Sequence, residues 1–215
     1  MADLKQQIII LATPKGNVTI KSFCSPEEIH ACTFDSQFVK YPRYKSIYVK
    51  KQSLERAAAG EDANVVLALA PETHIIGFGV LTPPHPDERW YRVGLGIIME
   101  VAALEVCRSW RGIKLAQNIA RFLLPEPWIE DKIIYLVGYA WTWDLEGTRL
   151  SAQEYRSILM KIMQRYNFTI CQTNEPNVCL KTENIFMCRI GKNISPELER
   201  KFKWVRFNVD LASAA

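Results

Sequence analysis

Several things are scarce in these 215 residues. No apolar run approaches the ~20 residues a membrane-spanning helix needs, so no membrane partner is expected. The three histidines (His30, His74, His85) form no cluster with the cysteines, and no two cysteines make a CxxC pair, so no metal site is expected. Neither a G-x-G-x-x-G signature nor a Walker A loop occurs. The net charge is only +4, with no dense basic run, which argues against nucleic acid. With no secretory leader, the dispersed Cys24, Cys32, Cys107, Cys171, Cys179 and Cys188 read as reduced core thiols of a cytoplasmic protein. Repeats and low-complexity segments are absent as well.

What remains is a chain with 48% hydrophobic and 23% charged residues, enough for one good core. A single domain is expected over 1–215, with 194–215 as a C-terminal helical extension. The chain is organised around Gly94 to Leu124. Gly94 to Val106 is apolar and β-branched, with Glu100 and Glu105 as its only charges, and suits a buried strand. Leu115, Ile119, Phe122 and Leu123 then follow at helical spacing, and Pro125 stops the helix. Between strand and helix lies a short turn carrying Arg108, Arg111, Gly112 and Lys114. A cationic turn feeding a helix start offers free N–H groups and a positive dipole end, which suits a phosphate.

Around this centre, Ile8–Ala12 and Val18–Phe23 read as a hairpin, as do Val65–Ala70 and Ile75–Leu81. Ser25-Pro26 starts a helix carrying Ile29, Cys32 and Phe34 inward. Phe38 to Tyr48 interleaves aromatics with cations, which fits either a base or acidic peptide, or a loop packed on the sheet. Gln52–Ala59 reads as a short helix. Lys132–Ala140 is a further buried strand running into Trp141-Thr-Trp143-Asp144. Ser151 and Glu154 make a capping box, opening a helix with Tyr155, Ile158, Leu159, Ile162 and Met163 on one face. Phe168–Cys171 and Ile185–Ile190 close the sheet, with 172–183 a surface excursion between them, and Ser195-Pro196 caps a last helix. Hairpins followed by helix-linked strands argue an α+β protein.

The run Leu104 to Ala116 resembles the acetyl-CoA-binding segment of the GNAT N-acetyltransferases. Arg111, Gly112 and Ala116 fit that family's pattern; Lys114 stands where its middle glycine is usual. Tyr139 to Arg156 and Cys188 to Asn193 are similar to the corresponding stretches of acetoin utilization proteins of the AcuA type. The resemblance implies a mixed, mostly antiparallel sheet with splayed central strands, and an acetyl-CoA-dependent acetyltransferase acting on a protein lysine, with acetyl-CoA synthetase as the partner. A small-amine acetyltransferase and an idle acetyl-CoA sensor are the rival readings.

By the same resemblance, backbone groups of Leu104 and Val106 meet the pantetheine arm, and amides of Arg111, Gly112, Lys114, Leu115 and Ala116 surround the pyrophosphate. A lysine acceptor is mostly protonated at neutral pH, with an unperturbed pKa of about 10.4, so a base is required. Glu105 is the first candidate and Glu100 the second, since burial raises a carboxyl pKa to a useful value. Alternation puts the two on opposite faces unless a bulge intervenes. Trp141, Trp143 and Asp144 are assigned to the substrate side. The position of the family's usual tyrosine acid falls on Met163, which leaves the acid open.

Overall fold

The computed structural model describes residues 6–41 and 50–209. Two hairpins begin the sheet: β1 (Ile8–Thr13) with β2 (Gly16–Lys21), and β4 (Asn64–Ala70) with β5 (His74–Thr82). Between them lie α1 (Pro26–His30), the two-residue β3 (Thr33–Phe34), α2 (Gln37–Lys40) and α3 (Lys51–Ala58). Ser25 caps α1 and forms a capping box with Glu28, but α1 ends at His30. Cys32 is therefore buried beyond the helix, and Phe34 lies in β3, beside the start of β5. Phe38 is buried under Phe34 and Phe78; the rest of the aromatic and basic stretch, 42–49, lies outside the described residues.

The central strand β6 (Ile98–Val106) begins four residues later than the apolar pattern suggests. Gly94 (φ +148°) and Gly96 (φ +73°) take conformations that an L side chain resists, and they make a turn instead. After β6 come α4 (Leu115–Leu123), β7 (Ile133–Gly138), α5 (Leu145–Thr148), α6 (Ala152–Gln164), β8 (Thr169–Ile170), α7 (Pro176–Cys179), β9 (Ile185–Ile190) and α8 (Pro196–Arg206).

Among the described residues the strands run β1-β2-β4-β5-β6-β7-β9-β8, with β3 beside β5. All the neighbours along that order are antiparallel except β6 and β7. That parallel ladder holds only over Ile98–Glu100 with Ile133–Tyr135, and beyond it the strands diverge. This is the splayed α+β sheet that the GNAT resemblance implies. Leu115, Ile119 and Leu123 of α4, with Met163 of α6, pack on one face. On the other, α1 and α3 cover β4 and β5, and Phe202 and Val205 of α8 pack with Trp90, Tyr135 and Phe186.

One expectation about the cysteines fails: Cys171 and Cys188 are disulfide-bonded. Cys171 follows β8, and the β8–β9 register (Thr169 opposite Cys188) sets the two residues on a diagonal with Cα atoms 6.2 Å apart, within disulfide range. Cys24, Cys32 and Cys107 are free and buried; Cys179 is free and exposed. Among the described residues no helix is long and apolar enough to cross a membrane.

Candidate active site

Two cavities open where β6 and β7 part. The narrower, of about 140 Å³, is walled by Glu100–Glu105 of β6 and Leu136–Tyr139 at the end of β7. The wider, of about 390 Å³, lies between Leu104–Val106, the turn 110–114, the start of α4 and the apolar face of α6. Leu104, Glu105, Tyr155 and Leu159 line both. That explains why Ile158 is 47% exposed although it shares a face with the core residues of α6.

Backbone register aims polar groups into the opening. The amide of Cys107 donates to the carbonyl of Ile76 on β5 at 2.9 Å. Alternate residues of an antiparallel strand face opposite ways, so the peptide groups of Leu104 and Val106 point towards β7. The Val106 carbonyl accepts from Arg111 Nε at 3.0 Å.

The turn itself is built from strained backbone. Gly112 has φ +83°, and no atom lies within 4 Å of where a Cβ would stand. Lys114, immediately before α4, is left-handed at φ 61° and ψ 19°. The family's glycine at this position thus has a backbone reason, and the lysine keeps the conformation at a cost of roughly 1 kcal/mol. Left-handed residues leading into a helix form a concave array of N–H groups at its positive end, the geometry that holds phosphate oxygens.

Asp144 ties this turn to the end of β7. It is 2% exposed; Arg108 donates to both its oxygens and Arg111 to one, while its Oδ1 also accepts the Gly147 amide at 3.0 Å. Burial works against the charge, but the bonds from Arg108 and Arg111 outweigh it and hold the carboxyl below its ordinary value. Arg108 also lies over the Tyr41 ring, 3.4 Å from its centre.

Glu100 and Glu105 share a face. In the β5–β6 register Val80 is opposite Ala103, but Leu81 is opposite Val101, so Ala102 is an extra residue. This bulge cancels one alternation, and the partners of the two glutamates, Thr82 and Phe78, stand four apart on one side of β5. Burial raises Glu100 to about 7, with the nearby charge of Glu88 adding to the effect and the Tyr135 hydroxyl opposing it. Burial likewise raises Glu105, to about 8, despite the attraction of Arg111.

Trp143 is buried and stacks on Tyr155 at 5.2 Å between ring centres. Trp141 is 46% exposed, stacked on Tyr139 at 4.6 Å. Burial, with the nearby charge of Glu105, pushes the Tyr155 phenol up to about 12, so it stays protonated. Sequence reasoning had Tyr155 on the correct helical face but not at the junction of two cavities. It also missed the Tyr135–Glu88 pair, for which no short-range pattern exists.

A curated protein from Bacillus licheniformis, named acetoin utilization protein AcuA, is 29% identical over 199 residues, 92% of each chain. Its namesake in Bacillus subtilis is 28% identical over the same share. The crystal structure of an acetoin utilization protein from Exiguobacterium sibiricum superposes at a TM-score of 0.85, with 26% identity and 94% of both chains covered. The chain resembles AcuA along nearly all its length. No family model matches it.

Proposed function

We propose that this protein is an acetyl-CoA-dependent N-acetyltransferase whose acceptor is a lysine side chain of a protein, with acetyl-CoA synthetase as the partner, in the control of acetoin and acetate metabolism. The observation that carries the reading is the meeting of the two cavities at Glu105 and Tyr155. One cavity has a phosphate-competent turn at its rim; the other has two carboxyls of raised pKa in its wall.

The residues present fit acetyl-CoA. The unobstructed Gly112, the left-handed Lys114 and the start of α4, with Leu115 and Ala116, would hold the pyrophosphate. The inward peptide groups of Leu104 and Val106 would hold the pantetheine amides, much as a neighbouring strand would. Acetyl-CoA supplies an acetyl group on a good leaving thiolate. The chain's own work is proton handling and exclusion of water. Burial raises both carboxyls, and their positions divide the roles: Glu105 lines both cavities, where the thiolate would leave, whereas Glu100 lines only the narrower one, so the base expected first at Glu105 is assigned to Glu100. Glu100, near 7, takes the proton of the incoming ammonium. Glu105, protonated up to about pH 8, gives one to the departing thiolate, a group with a pKa of about 8.5 in free thiols. This fills the acid role that Met163 leaves open.

The open aromatic pair Tyr139 and Trp141 beside the narrower cavity favours a protein acceptor over a small enclosed amine. The test is CoA release from acetyl-CoA with purified acetyl-CoA synthetase, set against a panel of free amines, with peptide mapping of the acetylated lysine. Release with free amines alone would overturn the acceptor. Binding without release on any acceptor would overturn the enzyme.

A further inference from the structure

Glu100 and Tyr135 are opposite each other in the last rung of the β6–β7 ladder, just before the strands part. In a parallel pair, opposed side chains emerge on the same side. The Tyr135 hydroxyl donates to Glu88 Oε2 at 3.3 Å and also interacts with the Glu100 carboxyl. Tyr135 is fully buried, its ring clustered with those of Trp90 and Phe186 at 5.0 and 5.8 Å between centres. Glu100 lines the cavity and Glu88 is exposed, so Tyr135, opposite the one and bonded to the other, stands between cavity and solvent. Among the described residues, Tyr139 also feels the charge of Glu100, together with those of Arg89 and Glu175, which pair with each other.

We propose that Tyr135 and Glu88 are the proton exit of this site, carrying to solvent the proton that Glu100 takes from the acceptor amine. The inference rests on the acetyltransferase reading and names a route within that site. In the step, the protonated Glu100 gives its hydrogen to the Tyr135 oxygen. The O–H bond of Tyr135 breaks in the same motion, and its hydrogen passes to Glu88, which releases it to water. Rotation of the hydroxyl resets the route. Charge and atoms balance, and the phenol never ionises, in keeping with the raised pKa that burial gives it. Tyr135 and Glu88 touch neither amine nor thioester, so they are positioning and relay residues.

The experiment measures pH–rate profiles and buffer dependence for the wild type, Tyr135→Phe and Glu88→Gln. Phenylalanine preserves the ring packing, so the fold should survive; circular dichroism and acetyl-CoA binding check that. Tyr135→Phe removes a bond that favours ionised Glu100, so the acid limb moves to higher pH. Glu88→Gln removes a repelling charge, so the limb moves to lower pH. In both, kcat falls about tenfold or more at low buffer, and small diffusible bases such as imidazole restore it, whereas the wild type ignores them. A residue that only tunes the charge of Glu100 would shift the limb without any rescue by added base, and a merely structural one would move KM or stability alone. Absence of buffer rescue in an active, folded pair of variants, whether or not the limbs shift, would overturn the relay alone. An inactive wild type that binds acetyl-CoA would overturn the acetyltransferase reading and the relay with it.

Discussion

Asp144, beyond the end of β7, is gripped by Arg108 through two hydrogen bonds, at 2.8 and 2.6 Å, from Nε and Nη2. Arg111 adds a third at 2.6 Å. Two cations that the sequence places in a phosphate turn are thus anchored, through one buried carboxylate, to the opposite side of the splay. Asp144→Ala leaves two guanidinium groups without that partner, each about a fifth exposed at 21% and 24%. Loss of one member of a buried pair costs about 3–5 kcal/mol, and the partial solvation of the arginines puts this case near about 3. Urea unfolding measures it. Because the Asp144 carboxyl is held below its ordinary value, its stabilisation is present above about pH 4 and lost as the pH falls through the folded value. The variant should therefore lose less stability than the wild type on acidification below pH 4.

The two glutamates give opposite signs in activity and stability. Their folded pKa values, about 7 and about 8, lie above the unfolded carboxyl value of about 4.3. Stability therefore falls as pH rises from the unfolded value through the folded ones. Glu100→Gln and Glu105→Gln should melt higher than the wild type at pH 8.5, by about 2–4 °C for each kcal/mol recovered. Each should also lower kcat by about 10²–10⁴-fold, and the wild-type rate should climb through pH 7 as Glu100 ionises. A variant that is both less stable at pH 8.5 and fully active would contradict the assignment.

Gly112 and Lys114 separate backbone from side chain in the turn. At φ +83°, Gly112→Val should abolish measurable acetyl-CoA binding by calorimetry, because a β-branched residue resists this conformation. Lys114→Gly relieves a left-handed lysine, so the protein should gain up to about 1 kcal/mol. If main-chain N–H groups do the holding, affinity should stay within about threefold, the size of one lost surface-exposed charge interaction.

Much of the fold was legible because its signals are local. The capping boxes at Ser25 and Ser151, the proline-marked hairpin after Ala70 and the 3.6-residue periodicity of α4 each lie within one turn or one helix. The cationic turn was legible too, since Arg111, Gly112 and Lys114 are neighbours in sequence. What escaped was set by distant partners. The extra residue at Ala102 sits in a run of small apolar side chains with no glycine or proline to mark it, and only pairing with β5 reveals it. Asp144 meets Arg108 across 36 residues, and Tyr135 meets Glu88 across 47. Cys171 and Cys188 carry no spacing motif; the β8–β9 register alone brings them together.

That disulfide closes a loop of 17 residues, which in the chain-entropy account corresponds to about 3 kcal/mol. Paired Cys171→Ser and Cys188→Ser should lower stability by that order without changing CoA release, because the bond lies on the far side of β9 from the splay. Mass analysis after alkylation without reductant should find both residues unlabelled. Labelling of both in the native, oxidised preparation would contradict the bond.

Trp141 and Trp143 stand two residues apart and are expected to fail differently. Trp143 is buried against Tyr155 in the cavity wall, so Trp143→Ala should destabilise by about 3–5 kcal/mol and confuse any kinetic reading. Trp141 is half-exposed on Tyr139, with Lys181 5.6 Å from its ring centre, and it lines neither of the two cavities at the splay. An exposed aromatic of this kind contributes to binding a protein surface, where truncation of a contact residue typically costs about 1–2 kcal/mol. Trp141→Ala should then raise KM for a protein acceptor about 5–30-fold while leaving acetyl-CoA affinity and melting temperature unchanged. Turnover of a short lysine peptide, which cannot reach the mouth and the cavity together, should be affected far less. Equal losses on peptide and protein would mean that Trp141 shapes the cavity rather than the docking of the acceptor.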